Sequence, residues 1–127
     1  EFLLCPFGAE CKSLKTLNLG DNPYKMINLA PLKECIRLYS LVLNRTPIQF
    51  IDISPLAYLK NLQGLDLSNN QLSHIDLCPL QFIDDMYEVN LEHNPLDKIV
   101  MKKGVSHKAL KLNTNSEREI IKEDETI

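Results

Sequence analysis

Apolar and polar positions alternate along this chain only in short bursts. In LDLSNNQLSHIDLCPL (residues 65–80), Leu65 and Leu67 keep the two-residue period of a strand. Two asparagines then interrupt. Leu72, Ile75 and Leu77 resume at spacings of three and two, which neither a helix nor a strand sustains. Shifting the sequence against itself by 24 residues explains the beat. Segments starting at Leu14, Leu38, Leu62 and Met86 align without gaps on L-x-x-L-x-L-x-x-N-x-L. Of 20 template positions, 18 hold an aliphatic residue or the asparagine, and the exceptions are Tyr24 and Thr46. The register continues downstream. Ile27, Ile51, Ile75 and Ile99 form one column, Leu29, Ile53, Leu77 and Met101 a second, and Pro31, Pro55 and Pro79 a third.

On these motifs the chain resembles the leucine-rich repeat family, in its 24-residue repeat type. The resemblance implies an α/β solenoid. A short parallel β-sheet would line the concave face, with short helical or 3-10 turns and extended segments on the convex face. Residues 14–103 would hold four repeats, at 14–37, 38–61, 62–85 and an incomplete 86–103. Residues 1–13 would form an N-terminal partial repeat or cap, with Leu3 and Cys5 in the Ile27 and Leu29 columns. Residues 104–127 would form a C-terminal cap and acidic tail.

The physics of one turn fits that expectation. In x-L-x-L the leucines face inward and the residues between them face out. The asparagine ends the strand, and its amide both donates and accepts, so Asn22, Asn70 and Asn94 are expected to form a ladder. Thr46 interrupts that column with a shorter side chain and should weaken it locally. In SPLAYLKNL (54–62), Ser54 is the expected N-cap, Pro55 opens a helical turn, and Leu56, Leu59 and Leu62 face the core. After Met101 the pattern fails. KALKL (108–112) is a candidate last strand, and Ser116 and Glu119 have the spacing of a capping box.

Charge refines this picture without redirecting it. The chain has 14 basic and 17 acidic residues, a net charge of −3. Residues 114–127 carry five acidic and two basic residues and supply all the excess. A balanced body does not suit nucleic acid, which favours a basic face. No apolar run approaches the roughly 18 residues that span a bilayer, and no secretory signal is expected in the opening residues.

Candidate chemistry is sparse. The histidines His74, His93 and His107 occupy different columns, so neither a metal set nor a catalytic triad is expected, and no cofactor or enzymatic activity is implied. Cys5, Cys11 and Cys35 fall in core columns and read as small buried apolar residues of a cytoplasmic protein. The alternative is a disulfide, Cys5–Cys11 or Cys11–Cys35, in a secreted or cell-surface protein. Cys78 is expected to be partly exposed at a helix start.

Function is therefore expected on the concave face, as a non-catalytic protein-interaction module. The candidate partner-binding residues are Tyr39, Val42, Arg45, Asp66, Tyr87, Glu88, Asn90, Glu92 and His93. Tyr39 and Tyr87 share a column and offer contact area at low entropic cost. Asp66, Glu88 and Glu92 make a mildly acidic patch suited to a protein or peptide with a basic element. Two alternatives are a structural or regulatory segment of a larger protein and a receptor ectodomain. The oligomeric state is left open.

Overall fold

The structure is a computed structural model that describes residues 2–3, 8–102, 111–114 and 121–124. Five short strands form one parallel sheet: β2 (Thr16–Asn18), β4 (Ser40–Val42), β5 (Gly64–Asp66), β7 (Glu88–Asn90) and β9 (Lys111–Asn113). A second parallel sheet joins β6 (His74–Asp76), β8 (Lys98–Lys102) and β10 (Ile121–Asp124). At the other end β1 (Phe2–Leu3) pairs with β3 (Ile27–Asn28). Short 3-10 turns connect them, at Gly8–Ser13, Ala30–Glu34, Ser54–Tyr58 and Cys78–Phe82. The molecule is a solenoid of parallel strands with no long helix among the described residues.

The core follows from the repeat. Leu41 and Leu65 face each other across β4 and β5, and Leu65 faces Val89 across β7; all three are buried. Leu56, Leu59 and Leu62 are fully buried, as their spacing predicts. Fully burying one such side chain contributes roughly 1.5–3 kcal/mol. Each coil cannot bury its apolar edge alone, so stability comes from stacking.

Several local expectations are corrected. Ser54 does not cap its turn. It is the turn's first residue, and its N–H donates to Asp52 Oδ1 at 2.9 Å. Asn28 and Asp76 hold the N–H groups of Ala30 and Cys78 in the same way, at 3.0 and 2.8 Å. The following proline has no N–H, so the donor in need of a partner lies one residue earlier and finds its acceptor two residues upstream. Leu3 pairs with Asn28 and Phe2 with Ile27, one residue off the expected column; Cys5 lies outside the described residues. The candidate last strand, 108–112, overlaps β9 at Lys111 and Leu112, residues 108–110 lie outside the described residues, and the step from Glu88 to its partner Lys111 is one residue shorter than the repeat. Residues 121–124 are extended, beside β8, and the capping-box residues Ser116 and Glu119 lie outside the described residues.

The cysteines also differ from the first reading. Cys11 and Cys35 are joined in a disulfide, with Cα atoms 5.0 Å apart, so they are not separate small apolar residues. The repeat register brings them face to face in one core column, within the range a disulfide requires. Cys78 takes no part in a disulfide and is half-buried at the first position of its 3-10 turn.

Candidate functional site: the concave sheet face

The five-stranded sheet presents two outward rows. One runs Thr16, Ser40, Gly64, Glu88 and Lys111. The other runs Asn18, Val42, Asp66, Asn90 and Asn113. The second row has a structural duty. Asn18, Asp66 and Asn90 each accept the backbone N–H two residues on, from Gly20, Ser68 and Glu92, at 2.9, 2.9 and 3.0 Å. These side chains close the strand ends as Asx turns. Asp66 Oδ1 also accepts the Ser68 hydroxyl at 2.6 Å. Of the candidates, Asp66 and Asn90 thus spend one oxygen on their own turns, while Val42 has no such role.

Just beyond the strands the chain enters the left-handed region at Asp21, Arg45, Asn69 and His93, with φ of 57°, 52°, 57° and 60°. Non-glycine residues occupy it at a cost, least for Asn and Asp. That twist turns the next residue inward. Thr46, Asn70 and Asn94 are buried, and Asn22 is half-buried. Asn70 Nδ2 donates to Leu67 O in its own turn and to Leu43 O in the turn before, both at 2.9 Å. Asn94 does the same to Leu91 O and Leu67 O, at 3.0 and 2.9 Å. Asn22 bonds within its own turn, to Leu19 O and Gly20 O. Thr46 donates its hydroxyl to Asn70 Oδ1.

Arg45 forms a bidentate pair with Asp21, with Nε–Oδ1 at 2.6 Å and Nη2–Oδ2 at 2.8 Å. The hydrogen bond from Arg45 holds the Asp21 carboxyl below its usual value, and Arg45 is held above its own by Asp21, with a smaller contribution from Asp66. Glu88 Oε2 lies 3.5 Å from Lys111 Nζ. Sequence reasoning missed both partners. Asp21 stands one full repeat before Arg45, so the repeat register alone reveals that pair. Lys111 is hidden because its step from Glu88 falls short of the repeat. Glu92 is half-buried and His93 exposed.

Tyr39 and Tyr87 flank the sheet, 43% and 60% exposed, with Gln63 between them in the backbone ladder. Tyr58 and Phe82 on the convex side are also exposed, beside a groove of about 470 Å³. Those two rings already have partners. Lys33 Nζ lies 5.4 Å from the Tyr58 ring centre and Lys60 Nζ 5.6 Å from that of Phe82. Among the described residues no group of three or more His, Cys, Asp or Glu is placed to hold a metal ion. No described helix is long and apolar enough to cross a membrane.

The leucine rich repeat family profile matches residues 36–96. The chain has the leucine-rich repeat fold. Solved structures agree on the fold. Internalin C2 of Listeria monocytogenes superposes with a TM-score of 0.63 at 25% identity, over 82% of this chain and 43% of its own. Internalin F of the same organism gives 0.61 at 20% identity, over 89% of this chain and 37% of its own. The leucine-rich repeat domain of APL1B gives 0.59 at 22% identity, over 87% and 35%. The chain thus spans less than half the length of these structures. No curated protein matches it significantly in sequence. Leucine-rich repeats of this kind generally serve protein–protein interaction and are generally not enzymes.

Proposed function

We propose that this leucine-rich repeat protein is a non-catalytic interaction module that binds a protein or peptide on its concave sheet face. The observation that carries the reading is the pair of exposed tyrosines, Tyr39 and Tyr87, on one flank of that sheet. Large exposed aromatics are the residue type that anchors interfaces. Asp66, Glu88 and Glu92 favour a partner with a basic element. Arg45, Val42, Asn90 and His93 complete the contact surface. The Cys11–Cys35 disulfide favours an oxidising compartment, outside the cytoplasm, over the cytoplasmic location expected from sequence.

The test compares capture by the wild type with capture by a Tyr39→Ala/Tyr87→Ala variant whose circular dichroism is unchanged. A protein retained only by the wild type supports the concave site. Equal retention moves the site to the convex groove or the ends of the stack. Thiol titration of the unfolded protein, with and without reductant, checks the compartment: two extra thiols should appear on reduction.

A further inference from the structure

Two glycines of this chain sit in surroundings that differ. A Cβ on Gly20 would lie 2.9 Å from the Asn44 carbonyl oxygen, closer than real Cβ atoms come, so the fold itself requires glycine there. A Cβ on Gly64 would meet no atom within 4 Å. Gly64 also lies mid-sheet in β5, without the positive φ that would favour glycine. Glycine weakens a strand and often marks a place where a ligand approaches the backbone. Here the fold gives up strand stability and gains only open space.

That space is a depression of about 140 Å³ on the concave face, walled by Ser40, Val42, Asp66 and Glu88. It is smaller than the roughly 300–1,000 Å³ of small-molecule sites and suits one side chain. Two of its walls are carboxylates. Asp66 commits Oδ1 to Ser68, which leaves Oδ2 for another donor. Glu88 already attracts an ammonium, that of Lys111, at 3.5 Å. A close charge-assisted bond measures about 2.8 Å, so Lys111 is a loose and displaceable occupant.

We infer that the depression over Gly64 is a socket for one lysine or arginine side chain of the partner. The stem lies on Val42 and the Gly64 backbone, and the cation sits between Asp66 and Glu88. This rests on the concave-face reading and adds to it a single-residue selectivity.

The probe is acetyl-Ala-Lys-Ala-amide, with norleucine and glutamate counterparts, followed by amide NMR shifts on the intact chain. The lysine peptide should move the Gly64, Asp66 and Glu88 signals, and the counterparts should not. Gly64→Val fills the space and should abolish those shifts while raising the melting temperature. Asp66→Asn keeps the turn, as Asn90 does in its own coil, and should weaken the lysine response. Three results would overturn the socket: no response at these amides, equal response to norleucine, or a Gly64→Val chain that melts lower. If partner capture still depends on Tyr39 and Tyr87, the concave reading survives that failure. If capture ignores the tyrosines while lysine still shifts Gly64, the socket stands and the tyrosine anchors fall.

Discussion

Between the third and fourth coils, one carbonyl shows how neighbouring turns are joined. Leu67 O accepts Asn70 from its own turn and Asn94 from the next, both at 2.9 Å. Between the first and second coils the equivalent acceptor is Leu19 O, and the residue that should reach back to it is Thr46. The threonine does not reach it. Instead Asn22 Nδ2 supplies one bond, at 2.9 Å, and the Tyr24 hydroxyl the other, at 3.1 Å. Burial raises the Tyr24 hydroxyl pKa, in keeping with its role as a donor. Tyr24 and Thr46 are the two departures from the repeat template, and in the structure they compensate for one another. The donor has moved from the second coil into the first. That bond therefore no longer crosses the junction, which relies on its strands, the Arg45–Asp21 pair and the packing around the Cys11–Cys35 disulfide.

The largest way to sharpen this contrast is to open the disulfide. It closes a loop between residues 24 apart, and chain entropy puts its contribution at about 3.5 kcal/mol. A Cys11→Ala/Cys35→Ala chain should lose about that much in urea denaturation. Hydrogen exchange should rise first in β2 and β4 and leave β5 and β7 protected. Uniform acceleration across all strands would mean the two ends are not distinct.

Asparagine deletions come next. Asn70 is buried, spans two coils with its donors, and accepts the Ile48 N–H at 3.2 Å and the Thr46 hydroxyl. Asn70→Ala strands a buried N–H and should cost about 3 kcal/mol. Among the described residues Asn22 bonds only within its own half-exposed turn, so Asn22→Ala should cost about 1 kcal/mol. Similar losses at both positions would remove the distinction between junctions.

The sequence made the inward columns legible because each inward position has one physical demand, burial of an aliphatic group once per repeat. It also exposed Tyr39 and Tyr87, since tyrosine on an outward strand flank has no core to enter. Other features answer to geometry that periodicity does not encode. The caps at Asn28, Asp52 and Asp76 follow from where a proline leaves the N–H in need of an acceptor. The Glu88–Lys111 pair is hidden by one missing residue, which shifts every later column. Asp66 and Asn90 read as free contact residues, yet each has an oxygen committed to its own turn. Gly64 reads as an ordinary surface position until its surroundings are compared with those of Gly20.

A smaller effect tests the compensation directly. Tyr24→Phe removes one of the two donors to Leu19 O and should cost about 1 kcal/mol. Thr46→Asn alone should gain little, because Leu19 O already has both partners. Combined with Tyr24→Phe, the new asparagine can reach Leu19 O as Asn70 reaches Leu43 O, and should recover most of the loss. The double-mutant cycle should therefore show favourable coupling of about 1 kcal/mol. Strict additivity would mean that the two template exceptions are unrelated.

The smallest effect lies on the surface of the same junction. Asp21 is held below the ordinary aspartate pKa by the hydrogen bond from Arg45. A carboxyl whose folded pKa is depressed stabilises the fold fully above its unfolded pKa. That stabilisation fades as pH falls through the folded value. The Asp21–Arg45 contribution should thus be constant from neutral pH down to about 4 and disappear below it. Asp21→Asn should narrow its stability gap to the wild type only in that acidic window, and the gap should shrink with salt because both side chains are exposed. Arg45 stands at φ 52° and Asp21 at 57°, so the pair also ties together two residues that occupy the left-handed region at some cost. Arg45→Gly relieves one such cost while removing the ion pair, and should be nearly neutral in stability at neutral pH. In the acidic window, where the wild type has lost the pair as well, the glycine variant should become the more stable of the two. A variant that stays less stable at every pH would show that the guanidinium does more at this junction than pair with Asp21.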